Sequence, residues 1–193
     1  HGRHLGGALW IALGLGGCTL LGVLSKANGA LLPALALVLE HAFLRCASPN
    51  AATHANPVDN RKYRYAMLPL AWLPTALLTA YLLQQGWIGL TKGISSVRPW
   101  TLQQRLLTEP RVLVDYLDLL WLPRPFTPGL FNDHIQASAS LCSPVSTLIA
   151  LLAVLVLITG SWLLRRRWPA IALAVLFYFV GQSLESSTVA LEL

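Results

Sequence analysis

This chain is short of charge, and its few cysteines are scattered. Charged residues make up 11% of its 193 residues, against about a quarter in an ordinary soluble domain. The three cysteines, Cys18, Cys46 and Cys142, fall in separate apolar and loop segments, so their spacing predicts neither a disulfide framework nor a metal site. No soluble basic module with interleaved aromatic residues is present, so no nucleic-acid partner is predicted.

Long apolar runs fill the sequence instead. The clearest covers residues 145–164 and ends at Arg165, Arg166 and Arg167. About 20 apolar helical residues cross the roughly 30 Å hydrocarbon core of a bilayer, where only a helix or a closed barrel satisfies its backbone. The sequence therefore predicts one all-α polytopic membrane domain over residues 1–193. The five predicted spans are residues 5–24, 29–44, 65–83, 145–164 and 169–184.

The placement of basic residues predicts the orientation of these spans. Arg3 precedes the first span, and the arginine triplet joins the last two. The loop between the second and third spans is bracketed by Arg45, Arg61, Lys62 and Arg64. The positive-inside rule assigns these regions to the cytoplasm. The turn at residues 25–28, the long segment 86–143 and the tail 185–193 are then expected on the other side.

The long outer segment is too apolar for a disordered linker. Over residues 101–122 its leucines recur at near-helical spacing among charged residues, which is typical of amphipathic helices in the membrane interface. Pro110 interrupts this pattern, so we expect two helices there. Asp133 and His134 follow in an irregular, proline-rich stretch of the kind that often carries functional residues.

Lys26, in the turn between the first two spans, is the first residue that could take part in chemistry. Its ammonium could bind a lipid-linked phosphate at the membrane boundary. The alternative is a lysine that extends from a helix end into the lipid headgroups.

Arg105 and Arg111 form a second candidate group. Both could bind a phosphate bidentately from an interfacial helix. The alternative is a solvated helix face with i, i+4 ion pairs to Glu109 and Asp115.

The remaining candidates are acids and one histidine near the outer side. Asp133 and His134 could supply a base or a metal contact, but no second histidine lies at ligand spacing, so no metal site is predicted. Glu185 could line a polar cavity at the end of the last span, or simply lie at the interface, where a carboxylate costs little.

Three short stretches of the chain share motifs with one family of membrane proteins. Residues 24–33, LSKANGALLP, are similar to a Ser/Cys-Lys-Glu-Asn/Gln-Gly turn. Residues 105–123 are similar to an external R-x-x-T … Y-L-x-L-L-x-x-P stretch that Asp133-His134 follows. Residues 181–193 are similar to a segment that runs on into Glu-His-Arg-Asn-Tyr-Leu-Pro. In these motifs the chain resembles the transmembrane-and-TPR O-mannosyltransferases and their bacterial relatives, which are polytopic glycosyltransferases of the GT-C type.

The resemblance implies transfer of a sugar from a polyprenyl-phosphate donor to a protein or glycan hydroxyl, without a redox cofactor. It further implies a bacterial inner-membrane protein whose site faces the periplasm, a TPR region after the last span, and a catalytic acid upstream of His1, so that the chain is a piece of a longer protein. Ala27 departs from the family pattern, because relatives carry a glutamate there that could orient Lys26. Taken together with the residues themselves, this predicts a substrate-binding set of Lys26, Asn28, Arg105, Arg111, Asp133, His134, Glu185 and Glu192.

A non-catalytic function is the alternative. The chain could belong to a membrane scaffold that anchors a TPR module for envelope or pilus assembly, with the outer segment as a docking surface. A transporter or flippase would need charged residues near the middle of the spans, and almost none occur there.

Overall fold

The structure, a computed structural model, describes residues 10–45, 67–92, 101–122 and 137–186. Over these ranges the protein is all-α, as predicted, and its only β-type pairing is one isolated bridge between Ser140 and Ser143. The helices are α1 (Ala12–Ser25), α2 (Ala27–Leu44), α3 (68–92), α4 (Leu102–Trp121), α5 (Val145–Leu164) and α6 (Pro169–Gln182).

Two of the described helices, α2 and α5, are long and apolar enough to cross a membrane. The sequence predicts five spans, and the other three do not meet this criterion over the described residues. α6 is apolar but has only 14 residues, which is about 21 Å of helix. α1 is similarly short, and α3 carries polar residues such as Gln84 and Gln85 within its length.

The predicted bounds hold at α5 and fail at α3 and α4. α5 begins directly after Pro144 and ends at the arginine turn, as the sequence indicates. α3 continues to Lys92, so residues 86–92, which the sequence assigns to the long outer segment, extend the helix beyond its predicted end at residue 83. α4 is one helix with Pro110 inside it, and the prediction of two helices is wrong. Proline removes a single backbone donor, and the packing of α4 along α5 favours a continuous helix.

The helices also contain wider turns. The residues Ala12–Gly16, Leu39–Leu44 and Leu68–Trp72 are π-helical. The third of these segments contains Pro69 and is followed by Pro74. An inserted wide turn accommodates a proline because it changes which carbonyl each backbone N–H must reach.

The packing of α2 against α6 positions the candidate site. The last turns of α2 pack on α6, while Asn28 at its first turn contacts Glu185, just beyond the end of α6. The two helices are therefore antiparallel. Leu37, Leu176 and Phe179 are buried on them. This arrangement brings the turn at Lys26 and the residues after α6 to the same end of the bundle.

Candidate functional site

The turn that carries Lys26 is fixed by backbone contacts. Lys26 adopts an extended backbone conformation between α1 and α2. Its N–H donates to the carbonyl of Gly22 at 2.8 Å, and its own carbonyl accepts from the N–H of Gly29 at 2.9 Å. These bonds satisfy groups that helix ends otherwise leave unpaired.

Two glycines allow this turn to close. A Cβ built on Gly29 would lie 2.1 Å from the carbonyl carbon of Gly22 and 2.4 Å from the N atom of Val23. Both contacts are with backbone, which has no rotamer to adjust. The helices therefore approach as closely as they do because glycine stands at residue 29.

Glu185 is the partner of this turn. Its Oε1 atom accepts a hydrogen bond from Asn28 Nδ2 at 2.5 Å and lies 3.4 Å from Lys26 Nζ. The resemblance implies a glutamate at residue 27 to orient the lysine, and this chain has alanine there. The structure supplies a carboxylate to Lys26 from the opposite end of the sequence.

Arg105 joins the same cluster from α4. Thr101 and Gln104 form a capping box at the start of α4, each side chain bonding the other residue's backbone N–H, and this fixes the turn from which Arg105 projects. The guanidinium of Arg105 donates to the carbonyl oxygen of Glu185 at 2.7 Å and to Glu109 Oε1 at 3.2 Å. The Arg105–Glu109 pair, with side chains 16% and 19% exposed, is therefore shielded within the fold and does not form a solvated helix face.

Arg111 belongs to a separate polar network. It donates to Ser138 Oγ at 3.4 Å, while the backbone N–H of Ser138 donates to Thr108 Oγ1 at 2.9 Å. Ser138 and Thr147 are almost fully buried, and their hydroxyl oxygens lie 2.7 Å apart. Six residues separate Arg111 from Arg105, which is a rotation of about 240° around the helix, so the two arginines lie on different faces of α4.

The cluster around Glu185 lies at the margin of the fold. The side chain of Lys26 is 62% exposed and that of Glu185 is 39% exposed, so solvent and solutes reach the ammonium. Asn28 Oδ1, by contrast, is buried and has no hydrogen-bond partner among the residues that the structure describes. The site thus combines an accessible cation with a carboxylate that holds it and an amide whose acceptor is unused. An anion could displace the Glu185 carboxylate and bind the Lys26 ammonium in its place.

Two shallow clefts border α4. One, of about 490 Å³, is lined by Tyr116, Leu119, Leu120, Tyr178 and Gln182. The Tyr178 hydroxyl there donates to the carbonyl of Leu113 at 2.9 Å, which ties α6 to α4. The other cleft, of about 430 Å³, is lined by Gln103 and Leu107 together with residues 139–142.

The structure brings four of the predicted site residues together: Lys26, Asn28, Arg105 and Glu185. Arg111 lies in the neighbouring network around Ser138. Asp133, His134 and Glu192 lie outside the described residues. The described ranges hold no group of three His, Cys, Asp or Glu side chains that could bind a metal ion.

Sequence reasoning did not identify Ser138 and Thr147, and it gave Thr108 no role beyond its place in the R-x-x-T motif. The hydroxyls of Ser138 and Thr147 pair with each other, and the Thr108 hydroxyl accepts from the backbone N–H of Ser138. No local motif marks Ser138 or Thr147. The role of the predicted residues in binding a substrate stays a prediction.

No protein-family model, curated protein or solved structure matches this chain.

Proposed function

We propose that this chain is part of a membrane glycosyltransferase of the GT-C type. In this proposal it transfers a sugar from a polyprenyl-phosphate donor to a hydroxyl of a protein or glycan acceptor, on the periplasmic face of a bacterial inner membrane. The chain contributes the C-terminal spans of the membrane region, and the cluster around Glu185 binds the donor phosphate.

The exposure of the apolar helices supports a membrane environment. Only 17% of the span in α5 and 33% of the span in α2 is buried within the fold. A core helix of a soluble protein is mostly buried, whereas large exposed apolar surfaces are typical of membrane contact. α1, α3 and α6 complete the proposed five-span bundle, with α1 and α6 relying on flanking residues or a locally thinner bilayer to cross.

One observation carries the catalytic proposal. The three stretches that resemble the glycosyltransferase family supply Lys26 and Asn28, Arg105, and Glu185, and these residues meet within hydrogen-bonding or ion-pairing distance. They come from α1–α2, from α4 and from the end of α6. Convergence of distant polar residues at one accessible place is expected of a site and is not required for packing apolar helices.

In the proposed reaction, the acceptor hydroxyl oxygen forms a bond to the anomeric carbon as the bond from that carbon to the donor phosphate breaks. The hydroxyl proton passes to a carboxylate upstream of this chain, which must lie within hydrogen-bonding reach. The bond electrons leave with the lipid phosphate, whose new charge Lys26 and Arg105 stabilise. Glu185 orients Lys26 before the donor binds, and Arg111 holds the segment at Ser138 against α4.

The experiment is a transfer assay on the full-length protein with a radiolabelled polyprenyl-phosphate sugar. We expect the wild type and Lys26→Arg to label an acceptor, and Lys26→Ala to lose most of its turnover, because an alanine cannot stabilise the leaving phosphate. Leu24→Ala is the matched control: Leu24 lies two residues away and is 76% exposed, so its turnover should equal that of the wild type.

The outcomes separate the two candidate functions. Equal turnover by the wild type and Lys26→Ala would remove Lys26 from the site. The absence of turnover in every sample would overturn the enzyme proposal and favour the scaffold that anchors a TPR module.

A further inference from the structure

The turn between α5 and α6 carries three consecutive positive charges. Residues 165–168 are three arginines and a tryptophan. The backbone N–H groups of Arg167 and Trp168 both donate to the carbonyl of Leu164 at 2.9 Å, so the chain reverses within one turn. Three positive charges are thus held close together at the ends of two apolar helices.

The first arginine of this turn is engaged within the fold. The guanidinium of Arg165 lies 4.0 Å from the ring centroid of Trp162 and donates to the carbonyl of Trp162 at 2.6 Å. A cation over an indole face is stabilised by the ring quadrupole. Arg165 therefore fixes the position of Trp162 at the edge of the turn.

The other two arginines are available. Arg166 and Arg167 are exposed, and none of the carboxylates in the described ranges forms an ion pair with either of them. Two adjacent guanidinium groups provide ten N–H donors in planar arrays that match phosphate oxygens.

Exposed apolar side chains flank this pair along the chain. Trp162 is 45% exposed, Trp168 54%, Leu163 77% and Ile171 53%. Tryptophan is enriched where lipid headgroups meet the acyl region. A free phosphate ion would leave these side chains without a complement, whereas a phospholipid places acyl chains against them.

We infer that the turn at residues 165–168 binds the headgroup of an anionic phospholipid, with Arg166 and Arg167 on its phosphate and the two tryptophans beside its glycerol and acyl chains. The inference requires that the turn lie at a membrane surface and does not depend on sugar transfer. Such a turn prefers anionic lipids over lipids without net charge, a preference that apolar spans alone do not produce.

The test measures lipid retention by native mass spectrometry of the full-length protein in detergent. Dioleoyl-phosphatidylglycerol is titrated against dioleoyl-phosphatidylcholine, which has the same chains and no net charge. We expect the wild type to retain the anionic lipid preferentially. Each arginine-to-glutamine change should weaken its binding about fivefold, and Arg166→Gln with Arg167→Gln about 25-fold.

Two further variants separate a specific site from general charge. Arg166→Lys with Arg167→Lys keeps the charge but not the bidentate geometry, and should retain part of the preference. Arg61→Gln with Lys62→Gln removes the same amount of charge elsewhere in the sequence, and this variant should retain the full preference for the anionic lipid. An equal loss in the glutamine pairs at both places would overturn the inference.

A competition with inorganic phosphate completes the test. Added at concentrations above those of the lipid, it should leave phosphatidylglycerol bound, because it lacks acyl chains to contact the tryptophans. Displacement of the lipid by phosphate alone would identify a simple anion site and contradict a phospholipid site.

Discussion

The side-chain amide of Asn28 donates to the carboxylate of Glu185 at 2.5 Å, across 157 positions of the sequence. The same carboxylate oxygen lies 3.4 Å from the ammonium of Lys26. Glu185 therefore connects the start of α2 with the end of α6, and its backbone carbonyl extends this connection to Arg105 on α4. One residue holds three separate parts of the chain at one end of the bundle.

Removal of Glu185 should cost more stability than removal of Lys26. Glu185→Ala leaves the amide N–H of Asn28 without its acceptor, and we expect the free energy of unfolding to fall by about 1–2 kcal/mol. Lys26→Ala removes an ion pair with exposed side chains, which contributes about 0–1 kcal/mol. Denaturant unfolding of the purified full-length protein measures both changes. The double variant completes the cycle, and additive losses would contradict direct coupling between Lys26 and Glu185.

A methyl group at Gly29 should disrupt the hairpin of α1 and α2. The added Cβ would overlap backbone atoms of Gly22 and Val23, so we expect Gly29→Ala to lower the free energy of unfolding by about 3 kcal/mol or more. Gly17→Ala is the control on α1, because nothing in the described structure lies within 4 Å of that Cβ. The control should be neutral or stabilise by up to about 1 kcal/mol. A similar thermal midpoint for both variants would contradict the close approach of the two backbones.

The buried hydroxyl pair should be worth more than an exposed hydroxyl on the same helix. Thr147→Val keeps the shape of the side chain but removes the partner of Ser138, and we expect a loss of about 1–2 kcal/mol. Thr159 is also on α5, but it is exposed and bonds only the backbone of its own helix, at Leu155 and Val156. Thr159→Val should therefore change the free energy of unfolding by less than about 0.5 kcal/mol. Equal effects would indicate that the Ser138–Thr147 contact does not stabilise the fold.

Cysteine labelling should distinguish the two ends of the bundle. Cys142 is exposed, and its segment is tied through Ser138 to α4, whose Arg105 contacts Glu185. With Cys142 as the only cysteine, a membrane-impermeant maleimide should label intact spheroplasts. With Arg166→Cys as the only cysteine, labelling should require permeabilised membranes. Labelling of both in intact spheroplasts would contradict the proposed orientation.

The sequence predicts what is local and misses what depends on distant partners. The ends of α5 follow from Pro144 and the arginine turn, since each stops an otherwise uniform apolar run. The sequence predicts two helices in place of α4 because Pro110 marks a break, whereas the packing of α4 on α5 outweighs the loss of one hydrogen bond. For α3, the apolar run weakens near residue 83, but the helix continues and packs on α4, where Gly89 lies against the side chain of Leu102.

At the candidate site, too, the sequence predicts the individual residues but not the contacts between distant ones. Lys26, Asn28, Arg105 and Glu185 could each be selected by residue type, position and resemblance. That they share one carboxylate could not be predicted, because no periodicity relates the start of α2 to the residues after α6. The burial of Ser138 and Thr147 was missed for the same reason: small hydroxyl residues in a loop and a helix carry no signal of pairing.

The contact between Gly22 and Gly29 also limits how α1 and α2 can move relative to each other. Side chains between helices can repack when the helices tilt, but these two backbones touch directly and can only separate. A ligand that draws the ammonium of Lys26 away from Glu185 is therefore expected to act through the rotamers of the exposed lysine side chain, while the hairpin of α1 and α2 beneath it keeps its backbone geometry.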